Sequence, residues 1–356
     1  MEYRPLGRSG LKVSALTFGT MTFGGSGRFE VIGTTGADAA RDQLDRALDA
    51  GVNVVDTADM YSDGASEEIL GQAMEGRRDR LVLATKARNP MGEGVNDAGL
   101  SRRHLIAACD ASLRRLRTDW IDLYQLHGWD GQTPLEETLS ALDDLVRAGK
   151  VRYVGCSNYS AWHLMKALGV SERHGLERFV SQQIHYSAIA REAEYELVPI
   201  ALDQGVGIMV WSPLAGGFLS GKFSRDAPPA SDTRRAGRGD PYPIDEEQGF
   251  AVLDVLREVA EAHDASVAQA ALRWLLHQPG VSTVVVGART DAQLADNLGA
   301  IDWEMTADEL EGLEEVSAPP LIYPYWHQAQ FVTDRSGPAD HWPRRQATAE
   351  LPASVH

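Results

Sequence analysis

The chain has 356 residues, a hydrophobic content of 43% and a formal net charge of −17. This length exceeds that of a single small core and suits one large α/β barrel or two domains. The negative charge argues against non-specific nucleic-acid binding, which requires a basic surface. Cys109 and Cys156, the only cysteines, belong to no CxxC or Cys/His cluster, so the sequence predicts neither a zinc site nor a disulfide framework.

The sequence also predicts neither a signal peptide nor a membrane-spanning segment. The first residues lack an apolar stretch after a basic start, which is what a signal peptide requires. No apolar run approaches the ~20 residues that span a bilayer. We therefore expect a cytoplasmic protein with no membrane partner and no nucleic-acid partner.

Eight short apolar runs are typical of β-strands buried on both faces. They are VSALTFG (13–19), GVNVVD (51–56), RLVLATK (80–86), WIDLYQLH (120–127), KVRYVGCSN (150–158), RFVSQQIHY (178–186), GVGIMVWSP (205–213) and VSTVVVGA (281–288). Apolar spacings of three and four between them predict helices, for example over 38–51, 101–117 and 134–150. This alternation favours a (β/α)8 TIM barrel, with an open doubly wound sheet as the alternative.

The helix over 134–150 has recognisable end signals. Thr133 is the expected N-cap, Pro134 the expected first helical residue, and Gly149 the expected terminator. Residues 1–330 are thus predicted to form a single barrel.

Three segments depart from the alternating pattern. Residues 2–13 predict a hairpin around Arg8–Gly10, which could close the N-terminal end of the barrel. Residues 215–248 form a long Gly/Pro/Asp/Arg-rich stretch after the seventh strand, and such loops are usually functional or mobile. Residues 331–356 predict a poorly ordered C-terminal tail.

Four polar residues lie where three consecutive strands end. Asp56 ends GVNVVD, Tyr61 follows five residues later in DTADMY, Lys86 ends RLVLATK and His127 ends WIDLYQLH. Parallel strands of one sheet present their C-terminal ends on the same face, so these residues are predicted to share a site. Singly, each has an ordinary explanation: a turn cap, a packing residue, a solvated strand end or a core histidine.

Together the four residues form a proton-transfer set. The ordinary tyrosine pKa of ~10 makes Tyr61 a poor acid at neutral pH. A nearby Lys86 ammonium would favour the phenolate and lower that pKa, and a paired carboxylate would keep the lysine charged and in place. Tyr61 would then act as general acid in carbonyl reduction and as general base in alcohol oxidation.

Competing motifs fail on inspection. GGFLSGKF (216–223) approaches a P-loop, but Phe223 replaces the Ser or Thr that would ligate magnesium. FGGSGRFE (23–30) is glycine-rich, yet no strand–GxGxxG–helix unit contains it. A metal-dependent barrel hydrolase would need clustered ligands at several strand ends, where only Asp56 and His127 are available.

The segments DTADMY, LVLATK, DLYQLH, VGCSN and WSPLAGGFLSGK resemble the aldo-keto reductases, and most closely the group that includes the potassium-channel β-subunits. The resemblance extends from about Tyr3 to Trp326. It implies a barrel that binds NADPH across its C-terminal face without a metal and transfers hydride directly from nicotinamide C4. It also implies that Asp56, Tyr61, Lys86 and His127 are the catalytic tetrad.

The resemblance further implies a cofactor path. The implied cofactor contacts include Gly19, Thr20, Met21 and Asp56. The implied contacts to the nicotinamide are Ser157, Asn158 and Gln182 on the carboxamide and Trp211 stacked on the ring. The implied contacts to the pyrophosphate and adenosine are Ser212, Leu214, Gly216, Ser220, Lys222, Gly287, Arg289, Gln293, Asp296 and Asn297. Arg289 would face the 2′-phosphate. Many relatives carry a second arginine where this chain has Gln293, so an NADPH preference rests on Arg289 and Lys222.

Substrate identity is less constrained by the pattern. Phe23, Tyr61, His127 and Trp129 are predicted to contact substrate. Further wall residues are expected from Met21, Phe29, Met60 and the C-terminal Tyr323, Tyr325 and Trp326. This aromatic set favours an apolar or cyclic carbonyl or alcohol. The cationic 215–248 stretch is expected to order over the bound cofactor as a lid.

The sequence leaves one functional alternative from another class. Channel β-subunits keep the barrel, cofactor and tetrad yet serve largely as regulatory partners, so an NADPH-binding regulatory protein stands beside the enzyme hypothesis.

Overall fold

The computed structural model describes residues 1–225, 244–331, 335 and 337–340. Eight parallel strands close into a barrel in which each strand pairs with its neighbours in chain order and the last pairs with the first. They are β3 (Leu16–Gly19), β4 (Val54–Asp56), β5 (Val82–Ala87), β6 (Ile121–Leu126), β7 (Val151–Ser157), β8 (Ser181–His185), β9 (Gly207–Trp211) and β10 (Val281–Val286). The predicted (β/α)8 architecture is confirmed, and the doubly wound alternative is wrong.

Helices surround the barrel. The α-helices of the described residues are α1 (Ala37–Asp49), α2 (Ala65–Ala73), α3 (Arg102–Leu116), α4 (Leu135–Arg147), α5 (Ala161–His174), α6 (Ala193–Gln204), α7 (Glu246–Ala262), α8 (Val267–Leu276), α9 (Asp291–Leu298), α10 (Ala307–Ser317) and α11 (Tyr325–Phe331). Their starts follow local capping chemistry: Ser101 accepts a hydrogen bond from His104 N, and Thr306 forms a capping box with Glu309. No helix in the described part of the chain is long and apolar enough to cross a membrane.

Two end signals differ from the prediction for α4. Pro134 occupies the N-cap position, and Thr133 instead donates its hydroxyl to Asp130 Oδ2 at 2.7 Å. Thr133 lies one position before the N-cap and bonds within the loop, so both predictions are wrong. Gly149 does follow the helix end, with a φ of 74° that the left-handed region allows to glycine.

The predicted N-terminal hairpin is present and seals the barrel. Strands β1 (Tyr3–Pro5) and β2 (Lys12–Ser14) pair antiparallel. Leu6 and Val13 pack with Val54, Leu123 and Met209 in an interior cluster. The N-terminal end of the barrel is therefore closed by apolar side chains, and polar groups concentrate at the opposite end.

The alternation of side chains along each strand decides which residues point into the barrel. Along β6, Tyr124 and Leu126 pack outward against the surrounding helices, whereas Leu123 belongs to the interior cluster. Because successive side chains point to opposite faces, Gln125 and the following His127 also face the interior. The same two-residue alternation points Asp56 of β4 and Lys86 of β5 into the barrel near its C-terminal mouth.

Two expectations fall partly on residues outside the description. The lid predicted over 215–248 includes residues 226–243, and the tail predicted over 331–356 includes residues 332–334, 336 and 341–356. Both expectations, and the assignment of residues 1–330 to one domain, stay predictions.

The hairpin seal yields a test of stability. Leu6 has no solvent-exposed surface, so Leu6→Ala should leave a cavity in the interior cluster and lower the free energy of unfolding by about 2–5 kcal/mol. Leu11→Ala, at a partly exposed position that packs on the same cluster, is the matched control and should cost less. Urea denaturation followed by circular dichroism measures both, and equal losses would contradict a sealing role for Leu6.

Candidate active site

The four predicted tetrad residues meet at the C-terminal mouth of the barrel. Lys86 Nζ donates to Asp56 Oδ2 at 2.6 Å and to the Thr57 carbonyl at 2.8 Å. The same ammonium lies 3.5 Å from Tyr61 Oη. The rings of Tyr61 and His127 lie edge to face with centroids 5.9 Å apart. The structure thus places a phenol between a buried ammonium and an imidazole.

Lys86 keeps its charge although it is buried. Its side chain is 0% exposed and that of Asp56 is 3% exposed. Burial alone would lower the pKa of Lys86, but attraction to Asp56 and then to Tyr61 outweighs burial and the pKa is raised. A lysine ammonium is therefore held against the phenol oxygen, which is the arrangement that stabilises a phenolate.

Tyr61 is held by an unusual turn. The residues after it, Ser62 and Asp63, have φ values of 50° and 55°, in the left-handed region that most side chains avoid. Ser62 Oγ donates to the Phe23 carbonyl at 2.9 Å and accepts from Gly25 N at 3.1 Å. Hydrogen bonds from the loop between β3 and α1 thus fix the turn that carries Tyr61.

Amide groups complete the surroundings of Asp56. Its Oδ1 accepts from Gln183 Nε2 at 2.9 Å and from Gln125 Nε2 at 3.2 Å. Sequence reasoning missed both glutamines. Strand period was the available signal, because Gln125 precedes the interior-facing His127 by two residues.

A cavity of about 740 Å³ extends from the tetrad to α9. Its lining includes most of the predicted residues: Gly19, Thr20, Met21, Asp56, Tyr61, His127, Ser157, Asn158, Trp211, Ser212, Leu214, Gly216, Ser220, Lys222, Gly287, Arg289, Gln293, Asp296 and Asn297. The strand ends and the loops after β9 and β10 therefore build one continuous groove.

Gln182 is the predicted cofactor contact that the structure does not bring to this cavity. Its Nε2 donates to the Leu197 carbonyl at 2.7 Å, outside the barrel. Gln183, one residue later, lines the cavity instead. A shift of one residue along a strand moves a side chain to the opposite face, which is the physical reason for the difference.

Two predicted substrate residues also lie away from the cavity lining. Phe23 is fully buried and packs edge to face on Phe18, with ring centroids 5.8 Å apart. Trp129 stacks on His163, with ring centroids 3.8 Å apart. Both side chains serve packing in this structure.

The C-terminal aromatics are likewise outside the lining. Tyr325 stacks on Tyr195 of α6 at 5.4 Å between centroids. Tyr323 is 73% exposed, and Trp326 is also exposed. The expected contribution of these residues to the substrate wall is not found among the residues that line the cavity.

Apolar side chains form the cavity wall beside Tyr61. Phe29 packs edge to face on Tyr61 with ring centroids 5.5 Å apart, and Met60 joins it in one cluster. Sequence reasoning named these two but missed other lining residues: Thr22, Val31, Ile32, Pro213, Gly217, Phe223, Ala268, Val285, Val286 and Ala288. Most of them lie on loops, where no periodic pattern marks the inward side.

The carboxamide-binding candidates are pre-arranged by hydrogen bonds. Ser157 Oγ donates to the Gln183 carbonyl at 2.9 Å. Asn158 Nδ2 donates to the His127 carbonyl at 3.0 Å, and Asn158 Oδ1 accepts from Trp211 Nε1 at 3.1 Å. The indole of Trp211 is thereby fixed at the mouth of the barrel.

The far end of the cavity is cationic. Lys222 and Arg289 are both exposed there. Gln293 Oε1 accepts from Arg289 N at 2.9 Å, and Asp296 accepts from Ser266 Oγ and Gln269 Nε2 at 2.9 and 3.0 Å. The chemistry of this end suits an anionic ligand, and that of the other end suits proton transfer.

The start of the loop after β9 is tied to α7. Arg257 Nη2 donates to the Phe223 carbonyl at 2.6 Å, and Arg225 pairs with Asp254. These contacts hold the segment that carries Lys222 beside the cavity.

Comparison with known proteins agrees with this geometry. The model of the Aldo/keto reductase family matches residues 15–318. A Bacillus subtilis (strain 168) protein described as an uncharacterized oxidoreductase, YrpG, is 39% identical over 335 residues, which cover 90% of this chain and 97% of the relative.

Two further relatives differ in their described roles. The versiconal hemiacetal acetate reductase of Aspergillus parasiticus is 35% identical over 91% of this chain and 99% of its own length. A probable voltage-gated potassium channel subunit beta of Arabidopsis thaliana is 37% identical over 85% of this chain and 92% of its own length.

A buried acid near Tyr61 predicts a pH dependence of stability. Burial, followed by repulsion from Glu67, raises the pKa of Asp59 well above its ordinary value. In the unfolded chain this carboxyl ionises near ~3.9, so folding favours its protonated form and stability falls as pH rises from that value toward the folded pKa. Asp59→Asn should therefore raise the melting temperature at pH 7–8, and the gain should shrink toward pH 4.

The matched control is Asp42→Asn, which removes an exposed carboxylate on α1. Differential scanning fluorimetry across the pH range measures both variants. A gain for Asp59→Asn that does not change with pH would contradict the assignment.

Proposed function

Because the chain belongs to the aldo/keto reductase family, we propose that it is an NADPH-dependent oxidoreductase that interconverts a carbonyl compound and the corresponding alcohol. Tyr61 is the general acid and base of this reaction. The observation that carries the proposal is the Lys86 ammonium, which is buried, paired with Asp56 and 3.5 Å from Tyr61 Oη. The proximity of this charge favours the phenolate that proton transfer requires.

The groove fits a dinucleotide at its reactive end. Ser157, Asn158 and Gln183 offer both donors and acceptors beside the tetrad, as a carboxamide requires. Gln183 Nε2 is engaged by Asp56, so its Oε1 is the atom that accepts from a ligand amide. Trp211, fixed by Asn158, presents an aromatic face on which a flat ring can stack.

The groove fits a phosphorylated nucleotide at its other end. Lys222 would bind the pyrophosphate, and Arg289 would bind the 2′-phosphate through charge-assisted hydrogen bonds. Gly217 faces open space, where an added Cβ would meet nothing within 4 Å, so backbone can approach phosphate oxygens there. Gln293 supplies no second positive charge, and NADPH preference rests on Lys222 and Arg289.

The protein's own groups control the proton. When bound, the cofactor supplies the hydride that reduces the carbonyl carbon. Tyr61 Oη donates its proton to the carbonyl oxygen, and Lys86 stabilises the phenolate that remains. His127, whose ring lies against that of Tyr61, orients the same oxygen. In alcohol oxidation Tyr61 takes the proton back.

An apolar or cyclic substrate suits the wall of the pocket. Phe29, Met60 and Ile32 are all more than nine-tenths buried and line the cavity beside Tyr61. Aromatic and thioether side chains contact flat or cyclic apolar groups favourably. Among the described residues that line the cavity, the lysine and arginine side chains are Lys222 and Arg289, and both lie at the end away from the tetrad.

The rival hypothesis is an NADPH-binding regulatory partner, favoured by the similarity to the Arabidopsis channel subunit. Sustained turnover distinguishes the two. We expect repeated NADPH-dependent reduction of an aryl aldehyde, followed at 340 nm, and oxidation of the matching alcohol with NADP+. Tight NADPH binding without multiple turnovers across a panel of aldehydes and ketones would favour the regulatory protein.

Removal of the proposed acid tests the mechanism. Tyr61→Phe should keep the fold and NADPH binding but lower turnover by roughly 10²–10⁴-fold, the usual contribution of a general acid. Lys86→Met should also suppress turnover. Tyr153→Phe, which removes a hydroxyl near the sealed end of the barrel, is the control and should stay near wild type. Turnover of Tyr61→Phe close to that of wild type would remove Tyr61 from its role.

Cofactor choice has a separate test. Arg289→Ala should weaken NADPH by about 10–100-fold and NADH much less, because a charge-assisted contact is worth ~1.5–3 kcal/mol. Arg46→Ala, whose side chain pairs with Asp291 of α9 at 3.3 Å outside the cavity, is the matched control. Fluorescence titration with each cofactor measures the dissociation constants. Equal weakening of NADPH and NADH would show that Arg289 does not read the 2′-phosphate.

A further inference from the structure

The carboxylate of Asp56 is held from two sides. Lys86 Nζ contacts Oδ2 at 2.6 Å, and two amides, Gln183 Nε2 and Gln125 Nε2, contact Oδ1 at 2.9 and 3.2 Å. Gln183 lines the cavity, whereas Gln125 is fully buried and does not. Gln125 is therefore the amide donor to Asp56 that a ligand in the cavity does not reach.

Strand register shows why a glutamine is needed at this position. Gln125 on β6 pairs with Lys86 on β5, while Asp56 on β4 pairs with Ala84 of β5. The side chain must therefore reach across β5 to touch the carboxylate. Ala84 leaves the path open because it carries only a methyl group.

The amide of Gln125 is not fully satisfied. Its Oε1 is buried and has no hydrogen-bond partner among the described residues. An unpaired buried carbonyl costs stability, and a methionine of similar shape would avoid that cost. Packing alone does not account for a glutamine here, but its Nε2 contact with Asp56 does.

We propose that Gln125 is a positioning residue that holds the Asp56 carboxylate against the Lys86 ammonium and thereby holds that ammonium beside Tyr61 Oη. Without Gln125 the carboxylate loses one of its two amide contacts, and it holds the Lys86 ammonium less firmly. A positive charge that lies less closely against Tyr61 Oη favours the phenolate less. Gln125 thus tunes the acidity of Tyr61 without contacting substrate or cofactor. This inference rests on the proton-transfer role proposed for Tyr61.

The test measures Tyr61 directly in the cofactor-free protein. Phenolate formation is followed by ultraviolet difference absorbance, and the matching Tyr61→Phe background is subtracted for each variant. Gln125→Met should raise the ionisation midpoint of Tyr61 by about half a pH unit or more. The alkaline limb of the pH profile for alcohol oxidation should move in the same direction, and the dissociation constant for NADPH should stay unchanged.

Gln182→Met is the matched control, because it removes a buried amide donor of β8 whose partner is the Leu197 carbonyl outside the barrel. It should leave the midpoint of Tyr61 unchanged. If Gln125→Met fails to fold, Gln125→Asn, which is one methylene too short to reach Asp56, replaces it and should give the same shift.

The outcomes separate this inference from the proposed function. A Gln125 variant that loses thermal stability as Gln182→Met does but leaves the Tyr61 midpoint in place would overturn the positioning role. Full turnover by Tyr61→Phe would instead overturn the role of Tyr61 in the reaction, while the titration would still report whether Gln125 controls its acidity.

Discussion

The ion pair between Asp56 and Lys86 lies inside the barrel, where its side chains are 3% and 0% exposed. Burial of two charges costs several kcal/mol per ion unless further hydrogen bonds satisfy them. Here the Thr57 carbonyl adds an acceptor for Lys86, and the amides of Gln125 and Gln183 add donors for Asp56. Hydrophobic residues of similar size would often be no less stable, so the pair is better explained by the charge that it places beside Tyr61.

The two ends of the barrel differ in chemistry, and the ion pair lies at the polar end. The hairpin residues Leu6 and Val13 close one end with apolar contacts, and the strands around them contribute Val54, Leu123 and Met209. The polar groups can then collect at the C-terminal mouth, where the loops are free to build a groove. The apolar contacts that stabilise the barrel and the polar residues of the candidate site therefore lie in different layers of the same eight strands. This arrangement is usual for a (β/α)8 barrel.

The sequence predicts most of the fold, because apolar runs mark the strands, and strand ends predict the meeting of Asp56, Tyr61, Lys86 and His127 at one end of the barrel. The sequence does not predict which of two similar neighbouring residues points into the barrel. Gln182 and Gln183 are adjacent and chemically identical, and only the register of β8 shows that Gln183 faces the cavity. Phe23 and Trp129 lie outside the cavity lining for another reason. Each packs on a ring from another element, Phe18 or His163, and no spacing rule in the sequence reveals that partner.

The loop between β3 and α1 contacts both the cavity and the turn that follows Tyr61. It contributes Phe29 and Ile32 to the cavity wall, and its backbone carbonyl at Phe23 accepts the Ser62 hydroxyl at 2.9 Å. Ser62 directly follows Tyr61 in a left-handed conformation, which costs free energy and persists only when surrounding contacts hold it. The loop that supplies part of the cavity wall therefore also holds, through a different residue, the turn of the proposed acid. Thr22 of the same loop donates its hydroxyl to the Ala288 carbonyl at 3.1 Å, so the loop that holds the turn also contacts the segment that carries Arg289.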